Sequence, residues 1–352
     1  MATTTPIRTG IIGFGLSGRV FHAPFIATNP DFSLDLVSTS SPERAAEALA
    51  HHPGVEIVPT ADALLARAAD LDLVILASPA HVHLEQGIAA LEAGAAVVID
   101  KPFVPSLLEA KKLIEKSEET GRMLSVFQNR RWDGDFLTLK KLLAEGRLGD
   151  IHRFESTFER WGRAKPGLWQ ETTTIEQGAG ITFDLGSHLI DQALHLFGPA
   201  TVEQAELQVV RGGVSEDDAF ISLLHTNGVR SHLTMSRAAA QSGPRFRVLG
   251  SESGYSVHGL DNQEAFLKEG RWPGSEGYGV TPAADWGLLG IDGSEEGLAA
   301  YPTSLGAYPE FYEGVAATVR DGAPSPVDPR DSLEVVRIIQ RAHEIAASAQ
   351  QL

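Results

Sequence analysis

The sequence predicts an α/β protein in two parts: a doubly wound parallel sheet over residues 1–128, and an α+β part with a large, open, mostly antiparallel sheet over residues 129–352. Two continuous apolar runs, at Leu73–Ala77 and Ala96–Ile99, are typical of strands covered by helices on both faces. Short apolar runs alternate with helical patterns up to residue 128, which indicates parallel βα units. After residue 128 strands follow one another with few helices between them, which favours antiparallel pairing.

The elements of the first part follow from hydrophobic periodicity. The predicted strands are Thr9–Ile12, Leu34–Ser38, Leu73–Ala77, Ala96–Ile99 and Leu124–Phe127. The predicted helices include Glu43–His51, Val82–Ala93 and Leu107–Thr120.

The second part is predicted in the same way, with one region of weak periodicity. The predicted strands are Ile151–Glu159, Ala205–Arg211, Ala219–His225, Gly228–Arg237 and Arg245–Leu249. The predicted helices are Phe136–Glu145, His188–Leu196, Pro309–Asp321 and Asp331–Ser348. The stretch Gly270–Gly306 is rich in Gly, Pro and Trp, and we expect long loops there.

Composition excludes several classes of function. The 352 residues include 46 acidic and 29 basic side chains, a net charge of −17, which argues against nucleic acid and anionic membranes as partners. The absence of cysteine excludes disulfides, thiolate metal sites and cysteine nucleophiles. No apolar run approaches twenty residues and the N-terminus lacks a signal-peptide pattern, so we expect a cytoplasmic protein.

A glycine-rich loop follows the first strand. Gly13-Phe14-Gly15-Leu16-Ser17-Gly18 matches G-x-G-x-x-G between a strand and a helical segment. Glycines at this spacing permit a tight turn and close approach of the backbone to a pyrophosphate, as in a Rossmann dinucleotide-binding domain. The alternative is a glycine turn with a structural role only. Pro24 should kink or shorten the helix that follows.

The choice of dinucleotide depends on the end of the second strand, where NAD sites usually carry an acidic residue. Here the acidic position corresponds to Thr39, flanked by Ser38 and Ser40 and followed by Arg44. Small hydroxyl groups with an arginine suit the 2′-phosphate of NADP, while NAD stays possible. The alternative is that Ser38–Ser41 only caps the next helix.

Two further clusters are candidates for chemistry. Lys101 follows the strand Ala96–Ile99 directly, and the carboxyl ends of parallel strands are where open α/β sheets bind ligands. If a helix begins near Gly186, His188 and Asp191 lie one turn apart, with Asp184 just upstream. Histidine titrates near neutral pH and suits proton exchange with a hydroxyl or carbonyl group. The alternatives are a surface lysine and a structural histidine.

These motifs together carry a family resemblance. The glycine loop, the stretch "ASPAHVHLEQGIAALEAGAAVVIDKP" and the stretch "DLGSHLID" resemble the glucose–fructose oxidoreductase/inositol dehydrogenase/MocA family over nearly the whole chain. The stretches "GFGLSGRVFHAPFI", "SVFQNRRWDGDFLTL" and "GAGITFDLGSHLIDQALHLFG" are more similar to its NADP-dependent scyllo-inositol dehydrogenase branch. The family usually shows Glu-Lys-Pro where this chain has Asp100-Lys101-Pro102.

The resemblance implies roles for individual residues. Lys101 resembles the catalytic lysine, His188 the proton donor and acceptor, and Asp184 the carboxylate that binds substrate, with Asp191 supporting His188. Further implied cofactor contacts are Ser78, Pro79, His83, Asp100, Pro102 and Lys101, the last helping to orient the nicotinamide ribose. The implied substrate contacts, besides Lys101, Asp184 and His188, are Asn129, Arg131 and Arg160. Arg160, Trp161 and Trp169 are candidates for lining the substrate pocket, and the alternative for these three is ordinary packing or surface exposure.

The function implied is hydride transfer between NADP(H) and a secondary alcohol or ketone of a cyclic polyol or sugar, with a scyllo-inositol-like substrate favoured and no metal. Two alternatives stay open: an NAD-dependent glycosidase that uses transient oxidation, and a non-catalytic regulator that senses dinucleotides. The resemblance also implies a homodimer or homotetramer formed through the exposed face of the C-terminal sheet.

Overall fold

The chain divides into two units in the computed structural model, which describes residues 5–162 and 172–349. The first unit contains the residues up to Asn129 together with Gln263–Tyr278 and Ala307–Leu333. The second contains Arg130–Asn262, Gly279–Gly306 and the residues from Glu334 onward. Two segments from late in the sequence therefore belong to the first unit, a division that hydrophobic periodicity did not indicate.

The sheet of the first unit is parallel throughout, as predicted. The six strands are β1 (Ile7–Ile12), β2 (Phe32–Ser38), β3 (Glu56–Val58), β4 (Leu73–Leu76), β5 (Ala96–Ile99) and β6 (Leu124–Val126). Their order is β3-β2-β1-β4-β5-β6, which is the doubly wound order of dinucleotide-binding domains. The side chains of β4 and β5 are all buried, which explains their continuous apolar sequences.

Helices begin and end where local sequence signals place them. In the helix Leu107–Thr120, for example, the hydroxyl of Ser106 accepts a hydrogen bond from the backbone N–H of Glu109, and Gly121 ends the helix with a φ of +63°. The α-helices in the described residues are α1 (Ala23–Thr28), α2 (Pro42–His51), α3 (Ala61–Leu65), α4 (His83–Glu92), α5 (Leu107–Thr120), α6 (Gly134–Ala144), α7 (Ser187–Phe197), α8 (Gln263–Lys268), α9 (Pro309–Asp321) and α10 (Pro329–Ala349).

The segment after the glycine loop is broken, as its proline predicts. Residues Ser17–His22 form a π-helical turn, and α1 begins at Ala23 with Pro24 in its first turn. His22 itself has non-helical backbone angles, with φ −127° and ψ −57°. Because proline cannot donate a hydrogen bond, it is tolerated at the start of a helix but not in its interior.

The sheet of the second unit has eight strands in the described residues: β7 (Ile151–Glu159), β8 (Ala200–Gln208), β9 (Asp218–His225), β10 (Arg230–Ser236), β11 (Phe246–Gly250), β12 (Gly254–Val257), β13 (Gly287–Gly290) and β14 (Leu298–Tyr301). Their order is β14-β13-β12-β11-β7-β10-β9-β8. All neighbours are antiparallel except β7 and β10, so the prediction of a mostly antiparallel sheet is confirmed.

The prediction of loops throughout Gly270–Gly306 is wrong for two segments. Strands β13 and β14 lie within this stretch and pair with each other at the edge of the sheet. Each strand has only four residues, and in both of them most side chains are small or exposed; only Leu289 is buried in the core and Tyr301 half-buried against it. Strands this short, held largely by backbone hydrogen bonds, show too little hydrophobic alternation to be predicted.

The core of the second unit lies between one face of this sheet and its helices. Fully buried side chains from α6, α7 and α10 pack with residues of the strands, among them Phe136, Leu189, Ile338, Phe154 and Leu233. Among the residues that the structure describes, no helix has the length and apolar character needed to cross a membrane.

Candidate active site

Backbone contacts leave no room for a side chain at two positions of the glycine loop, Gly13 and Gly18. Gly13 has a φ of +89°, and a Cβ there would lie 2.8 Å from the carbonyl oxygen of Ala77. A Cβ on Gly18 would lie 2.1 Å from the carbonyl oxygen of Gly13. Both positions therefore require glycine.

The space beside Gly15 is open and faces a positive charge. Within the described chain, leaving out its sequence neighbours, only Nη1 of Arg44 comes within 4 Å of the place where a Cβ of Gly15 would lie, at 3.9 Å. An open backbone surface beside a guanidinium suits an anionic group such as a phosphate. These residues thus fit a dinucleotide, with Gly13–Gly18 placed to hold its pyrophosphate.

The end of β2 combines helix capping with an exposed arginine. The hydroxyl of Ser41 accepts a hydrogen bond from the N–H of Arg44 at 3.3 Å, and this caps α2. Ser41 also donates to the carboxylate of Glu43 at 2.6 Å, which lowers the pKa of Glu43. Thr39 accepts from the N–H of Ser41, while Ser38 accepts from the N–H of Gly13. The capping role therefore exists at Ser41, and the guanidinium of Arg44 stays exposed beside the glycine loop.

His83 joins two loops at the carboxyl ends of β4 and β5. Its Nε2 lies 2.8 Å from the carbonyl oxygen of Ser78, and its Nδ1 lies 2.8 Å from that of Phe103. The imidazole is buried, and burial lowers its pKa against the opposing effect of these carbonyl groups. Since both ring nitrogens face backbone oxygens, any effect of His83 on a cofactor would pass through the two loops. Ser78 donates to Gln86, and Pro79 is exposed.

The carboxylate of Asp100 connects the predicted catalytic lysine to the glycine loop. Its Oδ1 accepts a hydrogen bond from the backbone N–H of Lys101 at 2.9 Å, and its Oδ2 accepts one from the hydroxyl of Ser17 at 2.5 Å. Lys101 is half-buried and precedes Pro102 through a cis peptide bond. In the first unit the structure thus brings Gly13–Gly18, Asp100 and Lys101 together.

Asp184 lies in a π-helical turn, Thr182–Gly186, that leads directly into α7. Its carboxylate forms a close ion pair with the guanidinium of Arg237, just after β10. The first residue of this turn is held by Glu216, whose buried carboxylate accepts hydrogen bonds from both the N–H and the hydroxyl of Thr182. A side chain at Gly186 would lie 2.7 Å from the sulfur of Met235, so the turn packs tightly on the sheet.

His188 is in the first turn of α7, one turn before Asp191, as the spacing predicts. Its imidazole is buried, with its centre 6.4 Å from that of the Phe158 ring. Asp191 forms a buried bidentate salt bridge with Arg131, at 2.8 and 2.6 Å. The guanidinium of Arg131 therefore binds a side chain of α7. A contact of Arg131 with substrate stays a prediction.

Arginines surround the aromatic ring next to His188. The guanidinium carbon of Arg130 lies 4.7 Å from the centre of the Phe158 ring, and that of Arg160 lies 4.9 Å from it. Trp161 is 65% exposed, whereas Trp169 lies outside the described residues. The ring therefore fixes two positive charges by cation–π contacts close to the predicted proton-transfer group.

The predicted residues form two groups, one in each unit. Asn129, which is buried, belongs to the first unit with Lys101 and the cofactor loops. Arg131, Arg160, Asp184 and His188 belong to the second. In the parts of the chain that the structure describes, no three His, Asp or Glu side chains have the arrangement of a metal site.

Some residues of these sites carry no local sequence signal. Arg237 pairs with Asp184 across 53 positions, and Glu216 reaches Thr182 across 34. Each is an ordinary charged residue near a strand end, where a solvent-exposed side chain is the usual expectation. Only the pairing of distant strands and helices identifies them.

Comparison with known protein families assigns both halves. The family described as "Oxidoreductase family, NAD-binding Rossmann fold" matches residues 7–128, and the "GFO/IDH/MocA C-terminal domain" matches residues 136–256. The first match covers β1–β6 with the glycine loop and Lys101. The second covers the turn and helix that carry Asp184 and His188.

Whole-length relatives agree with this assignment. The chain is 34% identical to scyllo-inositol 2-dehydrogenase (NADP(+)) IolW of Bacillus subtilis, over 96% of this chain and 93% of that one. It is 36% identical to the uncharacterized oxidoreductase YdgJ of Escherichia coli, over 97% and 96%. The solved structure of the oxidoreductase yvaA of Bacillus subtilis superposes with a TM-score of 0.91 at 33% identity, covering 97% of each chain.

Proposed function

The chain belongs to the Gfo/Idh/MocA oxidoreductase family, and from this premise we propose that it transfers a hydride between NADP(H) and a secondary alcohol or ketone of a cyclic polyol or sugar. Family membership makes it a nicotinamide-dependent oxidoreductase with a Rossmann cofactor domain. The preference for NADP and for a scyllo-inositol-like substrate goes further and belongs to the proposal.

The proposed substrate class is supported by the similarity of this chain to a named enzyme. The relative that shares 34% identity over 96% of this chain is named a scyllo-inositol 2-dehydrogenase that uses NADP(+). The preference for NADP has separate support, because Thr39 stands where NAD sites carry an acid and the Arg44 guanidinium lies 3.9 Å from the Cβ position of Gly15. A 2′-phosphate would pair with this guanidinium.

The residues divide the chemistry between them. NADP(H), when bound, supplies or accepts the hydride, while the protein orients the substrate and moves its proton. We assign to Lys101 Nζ a hydrogen bond to the reacting oxygen. The imidazole of His188 takes the hydroxyl proton during oxidation and returns it during reduction. Asp184, held by Arg237, binds a neighbouring hydroxyl group of the substrate.

The test is a panel of inositols and pyranoses, each assayed with NADP⁺ and NAD⁺ by the absorbance of the reduced nicotinamide. We expect turnover of at least one cyclic polyol, with a higher kcat/KM for NADP⁺. Lys101→Ala should abolish most of this turnover, while Lys112→Ala, an exposed lysine on α5, serves as the matched control.

Two outcomes would contradict the proposal. Release of nitrophenol from nitrophenyl glycosides with no net change in cofactor would indicate a glycosidase that works through transient oxidation. Tight dinucleotide binding with no turnover of any polyol or glycoside would indicate a sensor.

We also propose a homodimer or homotetramer formed through the open face of the second sheet. Leu288, Ile291 and Leu298 are 41%, 54% and 46% exposed at its β13–β14 edge. They line part of a groove of about 580 Å³ over β11–β14. Since exposed apolar side chains clustered on one face often mark interfaces, Leu298→Lys should lower the mass measured by light scattering after size exclusion. An unchanged mass would place the interface elsewhere.

A further inference from the structure

A row of buried polar side chains supports the Asp100 carboxylate, which connects the glycine loop to Lys101. It begins at the carboxylate of Asp100, which accepts hydrogen bonds from Ser17 and from the N–H of Lys101. Behind this carboxylate, Nε2 of His22 lies 3.7 Å from Asp100 Oδ1. On the other side of the ring, Nδ1 of His22 lies 2.6 Å from the hydroxyl of Tyr312 on α9. His22 and Tyr312 are both fully buried.

The hydrogen positions in this row follow from its chemistry. Burial and the Asp100 charge raise the pKa of Tyr312 well above its ordinary value, so its hydroxyl keeps its proton. A neutral His22 can then accept a hydrogen bond from this hydroxyl at Nδ1 and present Nε2–H to Asp100, while a protonated His22 presents Nε2–H in any case. The remaining tautomer would set the Nε2 lone pair against a carboxylate. The favoured forms therefore place a positive dipole or charge behind Asp100.

The carboxylate needs this support because it is largely buried. Only 18% of the Asp100 side chain is exposed. Burial by itself raises the pKa of Asp100, but His22, the charge of Lys101 and the Ser17 hydroxyl together hold it below its ordinary value. An ionised carboxylate in such a place is stable only with partners on each side.

We propose that His22 is a positioning residue for cofactor binding: with Tyr312 it holds the Asp100 carboxylate where it ties Ser17 of the glycine loop to the backbone of Lys101. The aromatic packing fixes His22 in turn, because its ring centre lies 4.6 Å from that of Phe127. Because Tyr312 belongs to the late segment Ala307–Leu333, this segment contributes to the position of Ser17 in the glycine loop. The inference rests on dinucleotide binding by the Rossmann domain and is independent of which polyol is the substrate.

The first experiment measures Kd for NADP⁺ and NAD⁺ by isothermal titration calorimetry without any polyol. The variants are His22→Leu, which removes both ring nitrogens, and His22→Gln, whose amide can place an N–H near the position of Nε2. We expect His22→Leu to raise both Kd values by the same factor, about 5- to 20-fold, and His22→Gln to recover most of the loss. Arg44→Ala differs, because it should raise the Kd of NADP⁺ alone.

A gentler variant and a double mutant separate positioning from general stability. Tyr312→Phe deletes only the hydroxyl and keeps the ring, which stacks on Phe25 at 5.8 Å. It should raise both Kd values about threefold with little change in Tm. Ser17→Ala removes the other end of the link. Since the His22 and Ser17 substitutions both act through Asp100, their effects should not add. The double variant His22→Leu/Ser17→Ala should have a dinucleotide Kd little higher than that of whichever single variant binds the dinucleotide less tightly.

Three results would overturn the inference. The first is a Kd unchanged in Tyr312→Phe and His22→Leu whatever happens to Tm, which would reduce His22 to a packing residue. The second is additive losses in the double variant, and the third is no recovery in a folded His22→Gln. If His22→Leu fails to fold, Tyr312→Phe with and without Ser17→Ala decides the question. A failure to find a polyol substrate would leave these binding results unaffected.

Discussion

Replacement of Asp135 by asparagine should make the protein more stable at and above neutral pH. The Asp135 carboxyl is buried in the first turn of α6. Burial, reinforced by the charges of Asp133 and Asp261 and only partly offset by Arg245, raises the pKa of Asp135 to about 7. The guanidinium Nε of Arg245 lies 4.0 Å from Asp135 Oδ2.

The charge balance around Asp135 explains the shift. Three buried arginines face four buried aspartates in this part of the second unit, so the group is balanced when one carboxyl carries a proton. Its members are Arg130, Arg131, Arg245, Asp133, Asp135, Asp191 and Asp261. Asparagine at position 135 keeps the oxygen that accepts the 2.7 Å hydrogen bond from the N–H of Phe136 and removes the extra charge.

The magnitude follows from linkage. A carboxyl whose pKa is raised in the folded state stabilises the fold fully below its unfolded pKa, ordinarily 3.8, and the contribution is lost as pH rises through about 7. A shift of about 3 units corresponds to about 4 kcal/mol at 1.36 kcal/mol per unit. Because part of this loss already falls below pH 5, we expect about 2 kcal/mol to disappear between pH 5 and pH 8.

The assay is urea unfolding at several values of pH from 5 to 8. The wild-type free energy of unfolding should fall across this range, whereas Asp135→Asn should show a flatter profile and a higher value at pH 8. Asp150→Asn, at an exposed carboxyl group of the same unit, is the control and should keep the wild-type slope. A wild-type slope in Asp135→Asn, or lower stability of that variant at pH 8, would refute the reasoning.

Three predictions concern catalysis and cofactor choice. Lys101→Ala should lower turnover by about two orders of magnitude or more with little change in cofactor Kd, and steady-state kinetics near the wild-type level would remove Lys101 from the mechanism. Arg44→Ala should weaken NADP⁺ binding selectively in calorimetry, because it deletes a partner of the 2′-phosphate; equal losses for both cofactors would contradict this. Alcohol oxidation should slow as pH falls through the His188 titration, since a neutral imidazole must accept the proton, and carbonyl reduction should slow as pH rises. His188→Ala should lower both rates and flatten that limb of each pH profile; an unaltered profile would assign the proton to another group.

Local patterns were sufficient for the glycine loop and for five of the six strands of the first sheet; the short strand β3 (Glu56–Val58) was not among the predicted strands. The sequences of β4 and β5 are apolar throughout because both faces are covered, and this is visible residue by residue. The positive φ of Gly13 and the contact of Gly18 with the carbonyl oxygen of Gly13 are local, so the spacing of the motif predicts them, whereas the close approach of Ala77 to Gly13 depends on the pairing of distant strands. The break before Pro24 is likewise a property of the neighbouring backbone.

Local patterns did not predict the two strands at one end of the second sheet or the partners of its charged residues. β13 and β14 have four residues each and few buried side chains, and their pairing depends on backbone groups that every residue has. The sequence predicts Arg131 as a substrate contact, yet the structure pairs its guanidinium with Asp191, 60 positions later. The Asp135 environment is equally long-range, since Asp261 and Arg245 arrive from other elements.

The sequence by itself determined five of the six strands of the first sheet, the glycine loop and the residue types available for proton transfer. The tertiary structure decided which hydrogen-bond and ionic partners the polar residues of the site have. Asp100 contacts Ser17 and His22, and Asp184 pairs with Arg237. The physical reason is range. Backbone conformation and hydrophobic periodicity are set by near neighbours, whereas electrostatic and hydrogen-bond partners are set by contacts between segments far apart in the chain.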